Sequence, residues 1–334
     1  MMSLLLSFLM KESQIINLFK SPNSSLGLVG IGDDCAALPG ESDDSLTVVT
    51  TDMLIEGRHF LRDQISATQL ARKALSVNLS DIAAMGAVPT YTFLSMAFPK
   101  TLADDWIREF ATAFLKQCEK YNVQLVGGDT NEGELIVINP IVHGSVSKNN
   151  LKLRSTAEVG DLICISGSVG DSRAGLYCLQ QGVVTQNAYS TLVKRHFEVC
   201  PHMKMGEFLG MSKEVTAMMD VSDGLVADLP KLLKLSKKSA HIQLEKIPVS
   251  NELNSFCADL KFNTKEFAAL GGEDYVLLFT VKARGFDRLN HEIKAKLNSE
   301  IYCIGEVVNG SEACVSYFLE GKTFEISSVG FEHF

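Results

Sequence analysis

The sequence lacks the short patterns that mark several common classes of protein. Its eight cysteines include no C-x-x-C pair, and its seven histidines include no H-E-x-x-H segment. It also has no G-x-S-x-G segment and no G-x-x-x-x-G-K-[ST] segment. These absences argue against a disulfide framework, a zinc site, a serine hydrolase with a nucleophile elbow and a P-loop nucleotide site.

The chain also lacks an excess of positive charge. Its 334 residues carry 31 lysines and arginines against 40 aspartates and glutamates, a net charge of −9. Nucleic acids and anionic membrane surfaces bind clustered lysine and arginine, so we expect neither as a partner. The apolar start "MMSLLLSFLM" is too short to span a bilayer and has no basic segment or A-x-A site. Several cysteines lie within apolar runs, which indicates reduced core residues of a cytoplasmic protein.

Strand-like and helix-like patterns alternate along the chain, which predicts an α+β protein. The β-branched segment "SLTVVTTDM" favours a strand, and "SATQLARKALSVNLSDIAAMGA" has apolar residues at helical spacing. Beyond "GDSRAGLYCLQQG", a long helical region is expected to reach about residue 240. The polar stretch "SKNNLKLRSTAEVGD" is the best boundary, and it predicts two domains at residues 1–150 and 151–334.

Acidic residues recur where apolar runs meet glycine or small polar residues. Aspartate beside glycine often forms a turn, and aspartate before a helix often caps it, so any one of these acids can be structural. Asp81 differs, because it lies inside a helical pattern among apolar residues, where an unpaired carboxylate is costly. The recurrence favours one shared site of oxygen ligands for a hard cation such as Mg²⁺. The acids are Asp33, Asp34, Asp52, Asp81, Asp129, Asp220, Asp223, Glu273 and Asp274.

Several segments together resemble the thiamine-monophosphate kinase family, and they run in that family's order from residue 30 to the C-terminus. They are "GIGDDCAAL", "TTDMLIEGRHF", "KALSVNLSDIAAMGA", "VGGDT", "LRSTAEVGD", "GDSRAGL", "DVSDGLVADL", "GGEDY" and "GFEHF". The combination of "EGRHF", "NLSDIAAMGA" and "GGEDY" is highly specific. The family is similar in fold to other ATP-using enzymes, among them aminoimidazole ribonucleotide synthetase and selenophosphate synthetase.

The resemblance implies an N-terminal, dimer-forming α/β domain with a mixed sheet and a C-terminal α/β domain. It implies a homodimer that uses ATP and several Mg²⁺ ions to convert thiamine monophosphate to thiamine diphosphate by direct transfer, with no covalent catalytic residue. By motif, the implied nucleotide contacts are Gly128, Asp129, Arg154 and Ser222. The implied substrate contacts are His59, Glu273 and Phe331. The implied metal ligands are Asp34, Thr50, Thr51, Asp52, Asp81, Asp129, Asp220 and Asp223.

Two other functions stay open at this point. A sister ATP-dependent synthetase would share the metal-binding acids, although not the three-segment combination given above. A non-catalytic nucleotide sensor would keep the fold, but an unused cluster of repelling carboxylates would cost stability. Turnover separates these functions, because a sensor would bind ATP and release no ADP.

Overall fold

The computed structural model describes residues 12–18, 29–183, 189–310 and 312–326, and these fold around two β-sheets. The substrate contact predicted at Phe331 lies outside the described residues. Buried apolar side chains form one core under each sheet. A third cluster joins the end of the helix over residues 67–84 to the second sheet. No helix within these ranges combines the length and apolar character needed to cross a bilayer.

The N-terminal half forms a sheet covered on one face by two long helices. Its elements are α1 (Glu12–Leu18), β1 (Ala36–Pro39), β2 (Ser45–Thr51), β3 (Leu54–Ile55), α2 (Ala67–Ala84), β4 (Val88–Phe98), α3 (Asp104–Tyr121), β5 (Gln124–Glu132) and β6 (Val137–Ser147). The strand order is β1-β2-β6-β4-β5, with β3 also paired to β6. Strands β4 and β5 are parallel and the other pairs are antiparallel, so the predicted mixed sheet is confirmed.

The C-terminal half forms a seven-stranded sheet with helices packed against it. Its elements are β7 (Asp161–Ile165), α4 (Asp171–Gln180), α5 (Ser190–Phe197), α6 (Met203–Met211), β8 (Val215–Asp220), α7 (Leu225–Ser236), β9 (Ser239–Gln243), α8 (Asn251–Leu260), α9 (Thr264–Ala269), β10 (Leu277–Lys282), α10 (Phe286–Leu297), β11 (Tyr302–Val308), β12 (Val315–Leu319) and β13 (Lys322–Phe324). The strand order is β13-β12-β9-β11-β7-β10-β8. The connection between the two sheets, residues 148–160, contains the predicted boundary at residue 150.

Helix α2 lies between the two halves of the chain. It begins with a capping box, in which the Ser66 hydroxyl accepts from the Gln69 backbone N–H and the Gln69 side chain accepts from the Ser66 N–H. Most of its side chains are buried, because α2 packs on the first sheet and α3 and also on α6 and β8. A helix buried on nearly all sides has no broad polar face, so its few polar groups are held at internal positions.

The contact between α2 and α6 leaves no room for a side chain at one glycine. A Cβ atom at Gly206 would lie 2.3 Å from the backbone oxygen of Ala83. Glycine at this position therefore lets the two helix backbones approach closely. The contact fixes the end of α2, which carries Asp81, against the C-terminal half of the chain.

The predicted helical region up to residue 240 is wrong, because strand β8 interrupts it between α6 and α7. The segment "VTAMMD" is almost entirely buried. It forms β8, the last strand at one edge of the sheet, and pairs with β10. A strand buried on both faces shows no alternation of polar and apolar residues, so it cannot be told from a buried helix by periodicity.

Candidate active site

Three aspartates from three different elements meet between the two halves of the chain. Asp34 precedes β1, Asp81 lies in the last turn of α2, and Asp220 ends β8. One carboxylate oxygen from each lies within 4.8 Å of those from the other two. All three were implied metal ligands in the sequence, and the folded chain brings them together into one acidic cluster.

Hydroxyl groups hold two of these carboxylates in place. Thr50 Oγ1 donates to Asp81 Oδ2 at 2.5 Å, and Ser80 Oγ donates to Asp220 Oδ2 at 2.7 Å. The bond from Ser80 also joins α2 to β8. Thr50 therefore lies beside the acidic cluster, and its assignment as a metal ligand stays a prediction. Ser80 was not predicted, although its place beside Asp81 in a buried helix is a signal that could have found it.

The guanidinium of Arg154 lies against the paired acids that precede β1. Its Nη2 and Nε donate to the two oxygens of Asp34 at 2.6 and 3.1 Å. Its backbone N–H donates to Asp33 Oδ2 at 3.3 Å. The Asp34 side chain is fully buried. Arg154 thus offsets part of the negative charge of the acidic cluster and closes one side of it.

Burial and mutual repulsion favour the protonated forms of the clustered acids. Burial, followed by the charges of neighbouring carboxylates, raises the pKa values of Asp81 and Asp220 well above the ordinary value. Burial and the charge of Asp34 raise the pKa of Asp33 to about 6. Each of these shifts reverses when positive charge is added nearby, because a cation stabilises the ionised carboxylate. The acidic cluster is therefore predisposed to bind a cation.

Asn78 fixes the backbone of Asp52, another implied metal ligand. The Asp52 backbone N–H donates to Asn78 Oδ1 at 2.7 Å, and Asn78 Nδ2 donates to the carbonyls of Ala74 and Asp52 at 3.0 and 3.4 Å. The charge of Asp52 contributes to the raised pKa of Asp81, so the two carboxylates lie close together. Sequence analysis missed Asn78, whose position in a buried helix was the available signal.

Two other implied ligands lie apart from the acidic cluster. Thr51 follows Thr50 in β2, so its side chain lies on the opposite face of the sheet, where its hydroxyl donates to Asn139 Oδ1 at 2.8 Å. Asp129 lies on the exposed strand β5 and accepts a hydrogen bond from Asn131 at 2.6 Å. Their assignment as ligands stays a prediction.

Asp223 is held by a lysine. Lys231 Nζ lies 2.6 Å from Asp223 Oδ2 and 2.8 Å from Asp228 Oδ1. Asp228 is fully buried and accepts hydrogen bonds from the backbone N–H groups of Asp223 and Gly224. This ion pair stabilises the turn before α7, and a metal at Asp223 would compete with Lys231 for the same oxygen.

Two implied nucleotide contacts have well-defined backbone roles. At Gly128, where φ is +158°, a Cβ atom would lie 2.0 Å from the carbonyl oxygen of Leu94, so only glycine fits between the paired strands. The carbonyl oxygen of Ser222 accepts from the Glu273 backbone N–H at 2.7 Å. That bond connects the loop after β8, next to Asp220, to the "GGEDY" loop.

Glu273 belongs to a second charged group, which includes a buried lysine. Lys73, on α2, is 1% exposed, and its Nζ lies 2.8 Å from Glu273 Oε1. His196 Nδ1 lies 3.4 Å from Glu273 Oε2. Burial alone would raise the pKa of Glu273, but the charges of Lys73, His196 and His59 outweigh it and lower that pKa. Glu273 is therefore ionised at neutral pH. Lys73 and His196 were not predicted from the sequence.

The charge of His59 also acts on Glu273, and the role of both as substrate contacts stays a prediction. His59 Nδ1 accepts a hydrogen bond from the Ile55 backbone N–H at 3.0 Å, which fixes the orientation of the ring. Tyr275 is buried in the same loop as Glu273, and burial first, then the charges of Glu273, Asp52 and Asp220, raise its pKa well above the usual value. The acidic cluster and the Glu273 group are thus adjacent parts of one site.

Comparisons with known proteins match both halves of the chain. The family models described as "AIR synthase related protein, N-terminal domain" and "AIR synthase related protein, C-terminal domain" match residues 32–146 and 158–317. Together they cover most of the chain, including the three acids of the acidic cluster and Glu273.

Individual relatives match over almost the whole chain. The thiamine-monophosphate kinase of Buchnera aphidicola subsp. Acyrthosiphon pisum is 39% identical over 308 residues, covering 91% of this chain and 92% of its own. The thiamine-monophosphate kinase of Haemophilus influenzae is 38% identical over 313 residues, covering 92% of both chains. A solved structure, "AaThiL complexed with AMPPCP and TMP", superposes with a TM-score of 0.84 at 32% identity, covering 98% of this chain and 100% of the other.

Replacing Lys73 with methionine tests the charge pairing at Glu273. We expect Lys73→Met to lower the free energy of unfolding at pH 7 by about 2 kcal/mol, because Glu273 loses its charged partner. Lys73 helps to lower the pKa of folded Glu273, so its contribution is present above the ordinary value of 4.5 and is lost as the pH falls. Denaturant unfolding between about pH 3 and pH 8 should therefore show a constant difference above about pH 4.5 and a smaller one as the pH falls below it.

Lys100→Met is the matched control, because Lys100 is 78% exposed and pairs with the exposed Glu132 at 3.0 Å. We expect this variant to change the free energy of unfolding by less than about 0.5 kcal/mol at any of these pH values. A Lys73→Met defect that stays the same from pH 8 to about pH 3 would contradict the charge pairing.

Proposed function

The chain belongs to the thiamine-monophosphate kinase family, and from that premise we propose that its acidic cluster holds Mg²⁺ during direct phosphoryl transfer from ATP to thiamine monophosphate. The chain is an ATP-dependent kinase of thiamine monophosphate, which follows from the relatives and from the neighbour that holds AMPPCP and TMP. The proposal concerns the metal, the roles of individual residues and the assembly. The observation that carries it is the convergence of Asp34, Asp81 and Asp220.

The donor atoms at the acidic cluster fit Mg²⁺. They are carboxylate oxygens from three elements, with the Thr50 hydroxyl bonded to one of them. Hard divalent cations prefer such oxygen ligands, whereas zinc sites are usually built from histidine and cysteine. Bound Mg²⁺ would neutralise the phosphates and help to align the transferred group between its donor and its acceptor.

The protein's own residues position the reactants. The ionised carboxylate of Glu273 complements the cationic thiazolium ring of thiamine monophosphate, and Lys73 and His196 hold it in place. His59 lies beside it with a fixed ring orientation. The bond from Glu273 N–H to the Ser222 carbonyl links this group to the end of β8, and hence to the acidic cluster. Such a linkage keeps donor and acceptor sites in register, which is the main requirement of phosphoryl transfer.

The acceptor does not need a general base. A phosphate monoester has its second pKa near 6, so the attacking oxygen of thiamine monophosphate is already largely anionic at neutral pH. Direct transfer also needs no nucleophilic side chain and forms no phosphoenzyme.

We further propose that two copies of the chain form a homodimer through the first sheet. The face opposite α2 and α3 exposes Tyr91 and Phe93 of β4, at 44% and 39%, and Val126 of β5, at 44%. Strand β5 is an edge strand whose residues are almost all exposed. Uncovered apolar faces of this kind mark interaction surfaces, and the family resemblance implies a second copy as the occupant.

A cytoplasmic location is also proposed. All eight cysteines are free thiols, and five of them are buried. Proteins of oxidising compartments commonly join such residues in disulfides, whereas cytosolic proteins keep them reduced.

The kinase assay tests the metal proposal. Purified protein incubated with Mg²⁺, ATP and thiamine monophosphate should give thiamine diphosphate and ADP in equal amounts. Asp81→Asn should lower this rate by at least about 100-fold, because it removes a ligand. Without metal, the same variant should be as stable as the parent or more stable in thermal unfolding, because it removes a repelled buried carboxylate.

Asp104→Asn, at an exposed aspartate in the first turn of α3, should leave both measurements unchanged. Full activity of Asp81→Asn, or equal activity after removal of Mg²⁺ by a chelator, would refute the metal proposal. ATP binding without ADP release would instead favour the sensor, and ADP release without thiamine diphosphate would favour a sister synthetase.

Light scattering during size-exclusion chromatography tests the dimer. We expect the parent protein to have the mass of two chains and Phe93→Asp to have the mass of one, because the aspartate would bury a charge in the interface. Leu115→Asp is the control, because Leu115 is 53% exposed on α3, which covers the other face of the sheet. A dimeric Phe93→Asp protein or a monomeric parent would contradict the assignment.

A further inference from the structure

Two cysteines of the second sheet lie directly opposite each other on neighbouring strands. Cys164 of β7 and Cys303 of β11 are partners in the antiparallel register. Directly opposed residues in such a pair have Cα atoms roughly 4.5–5.5 Å apart and side chains on the same face of the sheet. Disulfide bonds form when Cα atoms are about 4.4–6.8 Å apart, so the backbone already has the spacing that a disulfide needs.

One of the two thiols can be reached from a cavity. Cys303 is partly exposed and lines a cavity of about 430 Å³ on this face of the sheet, together with His241, Lys246, Glu306 and Phe318. Cys164 lies behind it and is completely buried. A small molecule that enters the cavity therefore meets Cys303 first. This cavity is distinct from the acidic cluster, with which it shares no residue.

The surroundings give the two thiols different reactivities. The neighbouring thiol of Cys164 lowers the pKa of Cys303 to about 6, and the charge of Lys246 acts in the same direction, although burial and Glu306 oppose it. Burial, and then the neighbouring Cys303, raise the pKa of Cys164 well above its usual value. The nucleophile in thiol–disulfide exchange is the thiolate, so the accessible cysteine is also the more reactive one.

We propose that Cys164 and Cys303 are a reversible dithiol–disulfide site, at which Cys303 attacks a small disulfide in the cavity and Cys164 then resolves the mixed disulfide. This site lies outside the kinase reaction and does not depend on it. The ligand class is a low-molecular-weight disulfide that fits the cavity.

The exchange balances with that disulfide as the oxidant. The Cys303 thiolate attacks one sulfur of R–S–S–R, forms a Cys303–S–S–R bond and releases R–S⁻. Cys164 then loses its proton to the released thiolate, attacks the Cys303 sulfur and displaces the second R–S⁻, which takes a proton from water or a buffer acid. The solvent regains that second proton, because Cys303 had released one to it on ionising. The protein dithiol is oxidised to a disulfide, and the small disulfide is reduced to two thiols.

Oxidised glutathione is the probe, and the folded, full-length protein is the sample. After exposure, free thiols are alkylated, and non-reduced peptides are identified by mass spectrometry. We expect the loss of two free thiols and a cross-linked peptide pair joining Cys164 to Cys303, reversed by dithiothreitol. Cys200 and Cys314 serve as internal controls, because both are exposed but neither belongs to a paired strand.

Two variants test the order of events. Cys164→Ala should accumulate glutathione on Cys303, because the resolving thiol is gone, whereas Cys303→Ala should leave Cys164 unmodified. Circular dichroism shows whether each variant is folded. If a variant does not fold, the cross-linked peptide pair in the parent protein decides the proposal. The proposal is overturned if no peptide joins Cys164 to Cys303, or if glutathione reaches Cys164 in Cys303→Ala.

Discussion

Repulsion among carboxylates that are buried or half-buried is the constraint on which the site depends. Asp34, Asp81 and Asp220 come from distant parts of the sequence, and the fold holds their oxygens within 4.8 Å of one another. Water cannot screen this repulsion well at buried positions, so the arrangement is costly unless protons or cations relieve it. Arg154 supplies one positive charge, and its contact with Asp34 leaves the rest of the acidic cluster for a metal.

Helix α2 connects the metal side of the site to the substrate side. It carries Lys73, which holds Glu273, and Ser80 and Asp81, which belong to the acidic cluster. The close contact of Gly206 with the end of this helix fixes it against the C-terminal half. One buried helix therefore sets the distance between Glu273, which we propose contacts thiamine monophosphate, and the acidic cluster, which we propose holds Mg²⁺. A rigid helix suits a reaction that depends on positioning.

The sequence predicted the parts of the site that short motifs encode. Asp34, Asp81 and Asp220 come together with Thr50 beside them, and the charge of His59 acts on Glu273, whereas their roles as ligands and substrate contacts stay predictions. The sequence could not show which neighbours would compete for these groups: Asp223, in the turn before α7, pairs with Lys231, eight residues further along the chain. Lys73 was not predicted, because a lysine in an amphipathic pattern usually faces solvent. Only the tertiary fold buries it. Strand β8 was not predicted, because a strand buried on both faces shows no alternation of polar and apolar residues.

The most direct test of the account is the position of a cation in the folded protein. Crystals grown with Mn²⁺ in place of Mg²⁺ and with a non-hydrolysable ATP analogue would locate the metal by its anomalous scattering. The account predicts a peak within bonding distance of carboxylate oxygens of Asp81 and of at least one of Asp34 and Asp220. A bound analogue whose metal ions contact none of these three acids would contradict it.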